Sequence, residues 1–176
     1  MKKLLMSIFI FTSLFANAQD VSFHEVALKY LQTNGTAVQY EGAIDQLFSL
    51  LKNQYAGQNI PEATWTELRS ESSSEVNRIL NMLVSAYRGN YEKHDLVNML
   101  AFYETATGKQ LLVDRTKLSK EQREEAANFY NSPTGQKILI SEKEVAGSVS
   151  EVSELWSRDL YRNVTDKLAE KGFTLH

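Results

Sequence analysis

The chain contains no cysteine, two prolines and three histidines in 176 residues. Without thiols it forms no disulfide, holds no thiolate-ligated zinc and offers no cysteine nucleophile. Proline stands only at Pro61 and Pro133, so little interrupts a helical backbone. Strand-type alternation is missing too, while apolar residues recur at steps of three and four almost throughout, which predicts an all-α protein. A basic excess is also lacking: 19 Lys and Arg face 22 Asp and Glu. Nucleic-acid binding needs a concentrated positive surface, and none is visible.

The amino terminus is different in kind. Lys2 and Lys3 precede an apolar run from Leu4 to Phe15 and a small-residue site, Ala16-Asn17-Ala18. That order predicts a secretory signal peptide over residues 1–18, too short in its apolar part for a membrane span of ~20 residues. Its removal leaves residues 19–176 as one all-helical domain with 17 basic and 22 acidic side chains, a formal charge of −5. The expected location is outside the cytoplasm of a bacterium, periplasmic or secreted, with no transmembrane segment after cleavage and no nucleic-acid partner.

Apolar spacing predicts helices over about 21–33, 36–55, 62–87, 93–104, 106–117, 121–131 and 133–171. Asn34-Gly35 should end the first, and Thr36 should cap the second. The serine run at 70–75 should break the third and face solvent. The last helix carries the stripe Ile138, Val145, Val149, Val152, Trp156, Leu160, Val164 and Leu168. A face that long belongs along several other helices, in an antiparallel bundle.

One phrase occurs twice. FYETATGKQLL (102–112) and FYNSPTGQKIL (129–139) share an aromatic pair, a hydroxyl residue, a Thr-Gly and an aliphatic pair, 27 residues apart. A residue before proline leaves the helical region, so one helix should stop by Ser132 and another start at Pro133, capped by Ser132. Thr105 and Ala106 repeat the arrangement. Gly108 and Gly135 then fall in the first turn of each new helix, where glycine costs ~1 kcal/mol against alanine. Close approach of a neighbouring aromatic or backbone should offset that. Each copy is thus a sharp corner, with Phe102 or Phe129 closing the outgoing helix and the aliphatic pair packing beneath.

The phrase, with Ser132, Pro133, Gly135 and Lys137 in place, resembles the bacterial family catalogued as domain of unknown function 2059. The resemblance runs from about residue 83 to 171, with Ala106 and Gln110 departing from it in the first copy. It implies an exported, all-helical protein of similar size, and it brings no catalytic residue with it.

No catalytic constellation stands out. Gly108-Lys109 lacks the glycine, the following Ser or Thr and the strand of a phosphate loop. His24, His94 and His176 have no helical metal-ligand spacing, and His94 and Asp95, being adjacent, should face different ways. Glu121 with Glu125, and Glu151 with Glu154, sit among lysines and arginines on polar faces. No metal or cofactor is expected. Three functions then remain, in descending order: a non-enzymatic envelope protein that binds a protein partner or itself; a carrier of small apolar ligands in a pocket walled by Tyr103, Tyr130 and Trp156; and a hydrolase. The same three rings serve equally as core filling.

Overall fold

The computed structural model describes residues 21–174; the expected leader and His176 lie outside them. Among the described residues there is no strand and there are eight α-helices: α1 (Phe23–Thr33), α2 (Thr36–Gln54), α3 (Glu62–Glu71), α4 (Glu75–Arg88), α5 (Lys93–Glu104), α6 (Ala106–Asp114), α7 (Lys120–Asn131) and α8 (Pro133–Glu170). The helical expectation, both corners and the long final helix are all present. At 38 residues α8 is ~57 Å long, and it runs through Gly147 without interruption.

The helix ends follow side-chain chemistry. Ser22 Oγ accepts from the Glu25 amide at 3.2 Å while Glu25 Oε2 accepts from the Ser22 amide at 2.7 Å, a reciprocal cap that starts α1. The first turn departs from expectation. Gly35 occupies the cap position of α2 at φ +87°, in the left-handed region that favours glycine. Thr36 does not cap: its amide instead donates to Asn34 Oδ1 at 3.1 Å. The serine run does break the third segment, as a single 3₁₀ turn over Ser72–Ser74. It is only partly solvated, because Ser72 is buried with its hydroxyl donating to the Leu68 carbonyl at 2.9 Å.

One apolar cluster joins α1, α2, α3, α4, α5 and α8. Leu31, Ile44, Leu51, Leu68, Ile79, Leu80, Leu83, Leu96, Met99, Val164 and Leu168 are its largest fully enclosed members. α1 packs on α5, α4 on α8, and α2 on both α1 and α4. The expected stripe of α8 holds: Val145, Trp156, Leu160, Val164 and Leu168 are buried, and Ile138, Val149 and Val152 are half-buried against them. α6 and α7 stand apart. The first buries only Thr107 and Gly108, the second only Ala126. These two helices link the corners and contribute little to the core.

The candidate site at the paired corners

Both corners are single residues in extended conformation, Thr105 at φ −69°, ψ 164° and Ser132 at φ −69°, ψ 162°. Thr105 Oγ1 accepts from the Gly108 amide at 3.0 Å and donates to the Phe102 carbonyl at 2.8 Å. Ser132 Oγ accepts from Gly135 at 3.1 Å and donates to the Phe129 carbonyl at 2.6 Å. Each hydroxyl thereby serves the end of one helix and the start of the next.

The glycines are explained by backbone, not by rings. A Cβ at Gly108 would lie 2.3 Å from the Phe102 carbonyl oxygen and 2.5 Å from Tyr103 Cα; at Gly135 the distances to Phe129 O and Tyr130 Cα are the same. The incoming helix presses directly on the last turn of the outgoing one. One expectation about the corners needs correcting. Only the first residue of each aliphatic pair, Leu111 and Ile138, tucks in; Leu112 and Leu139 are exposed. A helix turns by 100° per residue, so two consecutive side chains do not share a buried face.

The duplication reaches further than the sequence phrase. α5 and α7 are equally long, begin 27 residues apart, and each opens with its third residue bonded back to the cap: Asp95 Oδ2 accepts from the Glu92 amide at 2.9 Å and Gln122 Oε1 from the Ser119 amide at 2.9 Å. The repeat therefore spans 92–114 and 119–141. Its two copies interlock. Phe102 and Phe129 lie face to face, ring centres 4.0 Å apart and planes within 1°. Asn98 Nδ2 donates to Thr134 Oγ1 at 3.0 Å, and the equivalent pair is joined by Thr107 Oγ1 donating to Glu125 Oε2. Contacts that repeat with the partners exchanged mark a two-fold relation between the copies.

A groove of about 720 Å³ opens where the copies meet. Ala101, Phe102, Phe129 and Pro133 give it apolar surface; Asn98, Glu125 and His94 border it. A second cleft of about 340 Å³, between α2 and α3, is lined by Asp45, Lys52, Glu62 and Arg69. Its charges neutralise one another: Lys52 pairs with Glu62 at 2.7 Å, and Arg69 pairs with Asp45 at 2.7 Å and with Glu41.

Beside the corner groove lies a group that sequence reasoning missed. Asp95 is 2% exposed. Its Oδ2 meets Lys137 Nζ at 2.6 Å, and its Oδ1 meets Thr134 Oγ1 at 3.4 Å and His94 Nε2 at 3.3 Å. His94 Nδ1 faces Glu92 Oε2 at 3.3 Å. His94 and Asp95 are thus in contact, against expectation, because Asp95 turns back toward its own helix cap. The residues were visible in the sequence; the only hint of their pairing was Lys137 in the family phrase.

Burial raises the Asp95 carboxyl, but the hydrogen bond from Lys137, the Glu92 amide and the charges of Lys137 and His94 outweigh it, leaving the group below its ordinary value of 3.8. A depressed carboxyl stabilises the fold above the unfolded value and loses that contribution as pH falls through the folded one. Wild-type protein should therefore be more stable than Asp95→Asn at pH 6, with the gap closing as pH falls below about 4. Urea midpoints at pH 6, 4 and 3 read this. A gap independent of pH would contradict the assignment.

Of the three proposed pocket walls, the structure brings two together. Tyr103 and Tyr130 both pack edge-on against Phe102, at 5.5 and 6.1 Å, and Tyr103 also meets Tyr30 at 5.9 Å. Burial, then the nearby Tyr30 and Tyr130 phenols, push the Tyr103 hydroxyl well above the usual range. Burial also pushes Tyr87, which packs on Tyr30, up to about 12. Trp156 is elsewhere: buried, edge-on to Tyr40 at 5.2 Å, with Nε1 donating to Glu75 at 3.1 Å.

The Thr105 and Ser132 hydroxyls are engaged as caps, and both His94 nitrogens face carboxylates. Among the described residues no group of His, Asp and Glu comes together in a way that could hold a metal ion, and no helix is long and apolar enough to cross a membrane.

No curated protein and no solved structure matches the chain. Residues 115–162, which take in α7, the second corner and most of α8, match the family model described as an uncharacterized protein conserved in bacteria (DUF2059), the same family that the repeated phrase resembles.

Proposed function

We propose that this is an exported, non-enzymatic bacterial protein that binds a protein partner through the corner groove. The observation that carries the reading is the groove itself: open, floored by the Phe102–Phe129 stack and bordered by the Glu125 carboxylate. An open aromatic floor suits a protein segment that lays an apolar side chain on the rings and points a basic side chain at Glu125. A carrier needs enclosure, and its three expected wall residues do not converge.

Ala101 is exposed and lines the groove, so Ala101→Arg fills it without touching the core. Wild-type protein should retain a partner from an envelope extract, or self-associate by light scattering, and Ala101→Arg should lose at least about 1.4 kcal/mol of that binding, a tenfold drop. Unchanged binding by the variant, or an apolar compound recovered by mass spectrometry after extraction of native protein into organic solvent, would count against the proposal.

A further inference from the structure

The two halves of the corner interlock are equivalent in position but unequally fastened. On one side Asp95 and Asn98 of α5 meet Thr134 and Lys137 of α8. The buried carboxylate, the 2.6 Å ion pair and the 3.0 Å Asn98–Thr134 bond close this half completely. Twenty-seven residues away in each copy, the same four positions are Gln122 and Glu125 on α7, Thr107 and Gln110 on α6. Here only the Thr107–Glu125 bond crosses between the helices. Gln122 bonds its own cap, Ser119, and Gln110 Nε2 donates to the Asp114 carbonyl at 2.8 Å, within its own segment.

Burial is just as unequal. α5 encloses Asp95, Leu96, Met99, Leu100 and Phe102, whereas α6 and α7 together enclose Thr107, Gly108 and Ala126. Segments with few buried apolar contacts open locally at a small fraction of the global unfolding free energy. The tight glycine contacts hold each corner, so opening starts at the exposed connection at 115–119 and proceeds by local unwinding of α6 and α7.

We propose that the interlock is a half-locked clasp: the α5–α8 side stays shut through Asp95 and Lys137, and the α6–α7 side opens, uncovering more of the Phe102–Phe129 stack than the groove already shows. Partner entry by that side rests on the binding reading above; the opening does not.

Copying the lock tests this. Gln110→Lys with Gln122→Asp places an Asp–Lys pair at the positions equivalent to Asp95 and Lys137, and Asp at 122 can still cap α7 as Asp95 caps α5. Hydrogen exchange of the full chain, read by mass spectrometry without any partner, should show α6 and α7 exchanging about tenfold or more faster than α5 and the first turns of α8. The double variant should slow α6 and α7 by about tenfold, and neither single variant should do so. Equal protection of the two sides in the wild type overturns the proposal. So does a folded double variant whose α6 and α7 exchange as in the wild type. Should the double variant not fold, the wild-type comparison still decides. A clasp that opens in a protein whose groove binds nothing would retain this inference and discard the binding one.

Discussion

Replacing Gly135 by alanine should cost about 3 kcal/mol, the upper range for overpacking, and lower the melting temperature by about 6–12 °C for a chain of this size. The added Cβ would sit 2.3 Å from a carbonyl oxygen and 2.5 Å from a Cα. Those atoms belong to the main chain at the end of α7, so no side-chain rotation relieves the clash. The helix-propensity gain of ~1 kcal/mol for alanine is too small to compensate. Gly108→Ala meets the same geometry and should behave alike. Gly147 is the control: it lies inside α8 with nothing within 4 Å of the missing side chain, so Gly147→Ala should raise stability by about 0.5–1 kcal/mol. Thermal unfolding followed by circular dichroism measures all three. A wild-type melting temperature for Gly135→Ala would mean that the corners are looser than their spacing implies.

Phe102→Ala should be the second large loss, about 3–5 kcal/mol by urea denaturation. Phe102 is buried and touches three other rings, Tyr103, Phe129 and Tyr130. Phe129 is half-buried at the groove, so Phe129→Ala removes less apolar surface from shelter and should cost clearly less. The order matters more than the values. If Phe129→Ala proved the costlier change, the stack would be holding α7 to the molecule, and the assignment of α5 as the anchored copy would be wrong.

The corners were legible because their chemistry is local. A serine before proline, a threonine in the same register and a glycine three residues on dictate where one helix stops and the next begins, whatever surrounds them. The full repeat was not legible. Leu96 and Leu100 of α5, both buried, correspond to Arg123 and Ala127 of α7, because one copy lies against α1 and the other faces water. Burial has rewritten those positions. Nor could the Asp95–Lys137 pair be read, since its members are 42 residues apart on helices whose relative placement is a tertiary fact. Trp156 shows the same limit: its stripe on α8 was clear, but its neighbours Tyr40 and Glu75 were not.

The unbroken length of α8 gives the corners a reach beyond the groove. Its first turn is gripped by Asp95 through Thr134 and Lys137, while its far end is tethered to α3 by Lys167 with Glu71 at 2.7 Å and Lys171 with Glu67 at 3.0 Å. Between those ends the stripe from Val145 to Leu168 lies on the core, so a tilt at Pro133 is resisted along most of the rod and is taken up ahead of that stripe or at Gly147, where no side chain stiffens it.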